Sequence, residues 1–212
     1  MVVLDIDDTL YLERSYVRSG FNAVGHWLTA RLGVTGAAER LWSGFEAGIR
    51  GNAFNQVLAS YGIDPDEELV AELIACYRRH RPAIELLADA ERFLARLGGR
   101  ATAAITDGPA ESQWAKVAAL GLETRLDRVV VTAELGPGHA KPDPLAFRLI
   151  EEELGTTGTC CWYIADNPAK DFVTPLARGW SSVRVRRAES LHYRQDTPPG
   201  VVEITSLDAL RC

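Results

Sequence analysis

Long apolar runs are missing from this 212-residue chain. No stretch approaches the roughly 20 consecutive apolar residues that a bilayer crossing needs, and no basic segment followed by a short cleavable apolar one opens it. A cytoplasmic protein with no membrane partner is the expectation. Excess positive charge is missing too: 23 Lys and Arg stand against 29 Asp and Glu, for a formal net charge of -6 and a pI near 5.3. That balance argues against nucleic-acid binding and leaves room only for a local basic pocket holding a small anion. Cysteine is sparse, and Cys76, Cys160, Cys161 and Cys212 show no paired metal-ligand spacing. Cys160 and Cys161 would point to opposite faces of a strand, so neither a mutual disulfide nor a shared metal is expected, and all four read as reduced packing residues. Internal repeats and low-complexity tracts are also absent. What remains, 47% hydrophobic and 25% charged residues, is the composition of an ordinary globular protein able to bury a core, as one domain with an insertion or as two modest domains.

The organising stretch is Val2-Val3-Leu4-Asp5-Ile6-Asp7-Asp8-Thr9-Leu10. Its apolar start predicts a short buried strand, and its three carboxylates fall where the strand runs out into a loop. Buried unpaired, they would repel one another at high cost, so they call for a cation or for solvent. From about 13 to 98 the pattern is almost wholly helical, broken at Gly33 to Gly36, Gly51-Asn52, Gly62 to Pro65 and near Pro82. Phe21, Val24, Trp27, Leu28 and Leu32 recur at helical intervals, as do Leu69, Leu73, Cys76 and Tyr77, and both stripes read as core. Beyond that, strands are predicted at Ala101 to Thr106, Val129 to Ala133, Cys161 to Ala165, Ser181 to Val185 and Val201 to Ile204. Helices are predicted at Glu111 to Leu120, from about Asp143 to Leu154, and after the fourth strand to about Arg178. This alternation implies an α/β fold: a Rossmann-like parallel sheet flanked by helices, made from residues 1–12 and 99–212, with a helical insertion at 13–98. The tract Arg184, Arg186, Arg187 reads as a solvated edge.

In an open parallel sheet ligands bind beyond the carboxyl ends of the strands, and the chemistry-bearing residues gather there. Asp5 and Asp7 follow the first strand, Thr106 and Asp107 the second, Lys141 lies on the loop after the third, and Asp166 follows the fourth. Each alone is an ordinary turn or helix cap; together at one sheet edge they define a reaction. A carboxylate can attack phosphorus and form an acyl phosphate, and the approach of like charges demands cations. Asp5 and Asp166 offer hard oxygen ligands for Mg²⁺, Lys141 adds positive charge, and the Thr106 hydroxyl with nearby backbone N–H groups, Asp107 included, can bind phosphoryl oxygens. Asp7 can reach the leaving oxygen as general acid and then serve as base toward water.

On these residues the chain resembles the haloacid dehalogenase superfamily. Asp5-Ile6-Asp7-Asp8-Thr9-Leu10 is similar to its DxDxT motif, Thr106 to its second-motif hydroxyl, Lys141 in Lys141-Pro142-Asp143-Pro144 to its third-motif lysine, and Asp166-Asn167-Pro168-Ala169-Lys170-Asp171 to its fourth acidic motif. The resemblance implies a phosphohydrolase: Asp5 as nucleophile, Asp7 as acid/base, and Mg²⁺ held by Asp5, the Asp7 carbonyl and Asp166. Thr106 and Lys141 would hold the phosphoryl group, with Asp171 supporting Lys141 or reaching the metal through water. The branch that attacks carbon lacks an acid at the Asp7 position, so Asp7 favours phosphoryl transfer; Ala165 departs from the usual Gly before the fourth motif. The insertion after the first motif corresponds to the family's C1-type helical cap. Arg14, Tyr16, Arg18, Asn52, Asn55 and Gln56, and the knot around His80 with Arg78, Arg79 and Arg81, are its candidate substrate contacts, each also readable as an ordinary surface or capping residue. The expectation is an enzyme acting on a small phosphorylated metabolite. A phosphomutase of the same superfamily, a receiver domain and a non-catalytic scaffold are the alternatives. Oligomeric state and the role of Asp8 are not fixed by the sequence.

Overall fold

A computed structural model describes residues 1–210 of the chain. In order along it come β1 (Val2–Leu4), α1 (Glu13–Leu32), α2 (Ala37–Glu46), α3 (Ala53–Ser60), α4 (Glu67–Arg79) and α5 (Ala88–Arg96). There follow β2 (Thr102–Thr106), α6 (Ala110–Ala119), β3 (Arg128–Val131), α7 (Leu145–Leu154), β4 (Trp162–Ala165), α8 (Val173–Ala177), β5 (Ser181–Val185) and β6 (Val202–Ile204), with short 3-10 turns between. The six strands form one parallel sheet of order β3-β2-β1-β4-β5-β6. The fold is therefore the expected α/β class with a Rossmann-like sheet flanked by helices.

That order places a switch point at β1. The chain builds outward from β1 through β2 to β3, then returns to lay β4 against the other side of β1. Loops leaving β1 and β4 diverge there, opening the crevice in which such sheets bind ligands. β1 is buried throughout, as a central parallel strand must be. Val3 lies in register with Ala103 and Tyr163. These residues, with Ile105, Val130 and Ala165, form one apolar layer against Ala146, Phe147 and Ile150 of α7 and Phe172 beside α8.

The chain divides into two compact units, Met1–Arg14 with the residues from Ile84 onward, and Ser15–Ala83. The second boundary differs from the sequence expectation of 98/99. α5 reads as one more helix of the insertion, but Asp89 at its start accepts from Leu207 N at 2.8 Å, Ser206 Oγ at 2.9 Å and Arg187 Nη1 at 3.0 Å, which ties it to the α/β unit. The helical unit has its own core: Val17, Phe21, Val24 and Leu28 of α1 pack with Leu41 and Phe45 of α2, Val57 and Leu58 of α3 and Leu73 of α4. Asp66 caps α4 by accepting from Leu69 N at 2.8 Å. Gly25 lets α1 and α2 approach, since a Cβ there would lie 2.8 Å from Ala38 Cβ.

Several local expectations are corrected. Leu32 is 44% exposed, because it ends α1 beyond the last packed turn. Cys160 is exposed at the end of a 3-10 turn, whereas Cys161 is buried; Cys212 lies outside the described residues. β3 stops at Val131, where Thr132 turns its hydroxyl to Thr106 O and Asp107 Oδ1. The helix after β4 shrinks to Val173–Ala177 because Asn167 Oδ1 takes Ala169 N in an Asx turn. The basic tract is not a solvated edge. β6 lies outside β5, and Arg184 is only 1% and Arg187 9% exposed. Among the described residues, no helix is long and apolar enough to cross a membrane.

Candidate active site

Asp5 follows β1 directly, its amide still paired with Ile164 O at 2.9 Å, so the sheet itself fixes its backbone. Lys141 reaches it from the loop before α7. The buried ammonium stands 2.5 Å from Asp5 Oδ1, 2.8 Å from Asp171 Oδ1, 3.1 Å from the Tyr163 hydroxyl and 3.3 Å from Ile105 O. Burial alone would lower the Lys141 pKa, but the carboxylates of Asp171 and Asp5 outweigh it and hold the ammonium well above its ordinary value. Asp5 is also pushed up, to about 7, by burial and by Asp171, against the pull of Lys141.

Asp166, at the end of β4, stands beside this pair. Its carboxyl accepts from Ser190 Oγ at 2.8 Å, and its carbonyl from Arg184 Nε at 3.0 Å. Burial, then the charge of Asp5, raises it to about 9. Carboxylate oxygens of Asp5, Asp166 and Asp171 all lie within 4.8 Å of one another and all three residues are buried. Ionised, the three carboxylates outnumber the Lys141 ammonium, and their donors are all hard oxygens, the set that suits a small divalent cation. Asp171 is already engaged, with Lys141 on Oδ1 and Asn167 N at 3.0 Å on Oδ2.

The second-motif residues sit across from β1. Thr106 is fully buried and donates to Gln113 Oε1 at 2.8 Å. Gly108 (φ +132°) makes room for that glutamine, whose Nε2 would lie 2.6 Å from a Cβ at 108. Asp107 turns its carboxylate to Thr132 Oγ1 at 2.8 Å, Lys141 N at 3.1 Å and Lys170 Nζ at 2.7 Å. Burial would raise its pKa, but the charges of Lys141 and Lys170 lower it. An ionised carboxylate repels phosphate, so any phosphate contact at Asp107 falls to its backbone.

Asp7 is gripped by two residues the sequence does not flag. Lys116 Nζ lies 2.7 and 2.9 Å from its two carboxyl oxygens, and the buried Tyr11 hydroxyl donates to Oδ1. Asp8, in the left-handed region at φ 51°, accepts from Glu13 N and Leu191 N, both at 2.8 Å. It caps α1 and fastens the loop after β5, which accounts for the third carboxylate of the opening stretch. The structure thus brings Asp5, Asp166, Asp171 and Lys141 into one cluster, with Asp107 bonded to the Lys141 amide. Of the helical-unit candidates, Arg18 pairs with Glu39 at 2.5 Å and Asn52 with Gln56 at 2.9 Å. The missed residues carried no local signal of burial in the sequence. Ser112, Gln113 and Lys116 form a buried polar stripe on α6 where an apolar one is the rule.

A carboxylate at the switch point, an ammonium on it and a second acid two residues on make up the candidate site of this Rossmann-like sheet. The match to known proteins is direct: a model of the haloacid dehalogenase-like hydrolase family covers residues 1–173. The chain belongs to that family. It is 28% identical over 198 residues to a glyceraldehyde 3-phosphate phosphatase of Methanopyrus kandleri, covering 89% of this chain and 84% of that protein. It is 33% identical over 172 residues to a phosphoserine phosphatase of Thermus thermophilus (78% and 66% covered), and 29% identical over 171 residues to an (S)-2-haloacid dehalogenase of Xanthobacter autotrophicus (77% and 62%). In fold it resembles the candidate HAD-hydrolase YfnB of Bacillus subtilis, solved bound to magnesium, at TM-score 0.67 and 16% identity, covering 98% of this chain and 95% of that one.

Proposed function

We propose that this hydrolase is a Mg²⁺-dependent phosphatase that cleaves a small phosphorylated metabolite through an aspartyl-phosphate at Asp5. The observation carrying the proposal is the pairing of Asp5, bound to Lys141, with Asp7 two residues on, bound to Lys116. A family member that attacks carbon needs no acid at the Asp7 position, whereas expulsion of an alkoxide from phosphorus does. Two of the three relatives above are named as phosphatases of three-carbon monoesters, which supports the same reading.

The cation fits the residues present. Asp5 and Asp166 would hold it through carboxylate oxygens, with the Asp7 carbonyl as a further donor and Asp171 holding Lys141. When bound, it neutralises phosphoryl charge and the repulsion between the two carboxylates. An Asp5 oxygen attacks phosphorus as the bond to the ester oxygen breaks, and Asp7 gives that oxygen its proton. Asp7 then takes a proton from water, whose oxygen attacks phosphorus and breaks the bond to Asp5. Lys141 sits on the attacking carboxylate and can follow the charge onto the phosphoryl oxygens, and the backbone N–H groups beside Thr106, with its hydroxyl once that turns from Gln113, receive the others.

The test is phosphate release from a panel beginning with glyceraldehyde 3-phosphate and phosphoserine, with Mg²⁺ and with EDTA. Metal-dependent net release, absent from a folded Asp5→Asn protein, is expected. Isomerised sugar phosphates without net release would make the protein a mutase, and inertness toward the whole panel would favour a scaffold.

A further inference from the structure

Lys116 belongs to none of the motifs that assign the reaction, yet its side chain is only 4% exposed and its ammonium touches both oxygens of Asp7, at 2.7 and 2.9 Å. Tyr11, wholly buried, donates its hydroxyl to Oδ1 of the same group. Asp7 itself is 20% exposed at its side chain. The two partners are thus more enclosed than the group they hold. They come from separate parts of the chain, Tyr11 from the loop after β1 and Lys116 from α6, 109 residues beyond Asp7.

Burying an ammonium is costly even when it is paired, and Lys116 is buried on α6 beside Val117. What the contact does achieve is orientation. A carboxyl on a one-carbon stem can rotate, whereas proton transfer requires a donor–acceptor distance of about 2.6–3.2 Å, and an error of about 1 Å can cost about 100-fold in rate. Three bonds from two enclosed side chains remove that freedom.

We propose that Lys116, seconded by Tyr11, is a positioning residue that fixes the Asp7 carboxyl for proton transfer to the ester oxygen. The role rests on the phosphatase reading above. It predicts that loss of Lys116 matters in proportion to the leaving group's need for a proton. The parameter to read is kcat/KM, which reports only steps through departure of the alcohol. The two probes are glycerol 2-phosphate, whose alkoxide needs a proton, and p-nitrophenyl phosphate, whose nitrophenolate does not.

Lys116→Met should lower kcat/KM for glycerol 2-phosphate by about 30-fold or more and for p-nitrophenyl phosphate by less than about 3-fold. In an Asp7→Asn background the same substitution should change the alkyl ester by less than about 2-fold, because the residue it acts through is gone. Tyr11→Phe should give the same selectivity at smaller size, and it decides the matter should Lys116→Met fail to fold. Equal losses on both esters, or losses additive with Asp7→Asn, would overturn the role while leaving the phosphatase reading intact. A wild type inert toward both esters would overturn that reading and the role with it.

Discussion

The carboxylate cluster makes a signed prediction about stability and pH. Without a cation, burial and mutual repulsion raise Asp5 to about 7 and Asp166 to about 9, from a reference value of 3.8. Between pH 5 and 7 the folded protein therefore holds protons that the unfolded chain has released, so stability falls as pH rises. Each such carboxylate contributes about 1.4 kcal/mol per pH unit. Glu13, raised by burial and by Asp7 to about 8, adds a third such group; three carboxylates over two units set an upper value of about 8 kcal/mol, and relaxation of the buried site brings the expected fall to roughly 2–5 kcal/mol. His192, lowered by burial, acts in the opposite sense below 6.5 and so flattens only the acidic end. Mg²⁺ binds the ionised carboxylates of the folded state, and at about 100 times its Kd it adds about 2.7 kcal/mol. Its benefit must therefore grow with pH. Urea melts at half-unit intervals from pH 5 to 8, in EDTA and in Mg²⁺, measure both slopes, and Asp166→Asn should remove about a third of the slope seen in EDTA. Stability in EDTA that is flat or rising over this range, or a Mg²⁺ increment independent of pH, would refute the reasoning.

Other perturbations follow from single contacts. Lys141→Met leaves Asp5 and Asp171 buried without their cation, and should abolish phosphate release and cost about 3–5 kcal/mol in denaturant melts without Mg²⁺. Arg184→Met strips donors from Asp166 O, Gln195 O and His192 O. It should destabilise by about 3 kcal/mol and raise the Mg²⁺ concentration giving half-maximal activity, read from a metal titration. Gly25→Ala drives a methyl to 2.8 Å from Ala38 Cβ and should lower stability by about 1–3 kcal/mol in the same melts, with kcat little changed.

The strands and the acids at their ends were legible because both rest on local facts: apolar runs of strand length, and charges immediately after them. Asp5, Asp166 and Lys141 meet because the topology of a parallel sheet brings strand ends together, and that topology was readable from the β and α alternation. Long basic side chains were not readable in this way. Lys116 and Arg184 look like solvent-facing residues by composition, and only tertiary partners, the Asp7 carboxylate for one and the carbonyls of Asp166, His192 and Gln195 for the other, decide that they are buried. The same limit explains the misplaced boundary at α5, since helical periodicity reveals which face is apolar but not which core receives it. Asp8 was identifiable as a loop residue, but its second anchor, Leu191 N, lies 183 residues away and left no local trace.

The place of β1 in the sheet also bears on how the molecule comes into being. Val2 pairs with Thr102 on one side and Trp162 on the other, so the strand that leads into Asp5 has no partner until far later segments are available. The helical unit, whose core is drawn from residues between Val17 and Tyr77, depends on no such distant segment. On a ribosome its helices can pack while β1 is still an unpaired apolar ribbon. β1 thus leaves the ribosome before the strands that pair with it, and a fragment released between them would carry Asp5 and Asp7 without their sheet partners.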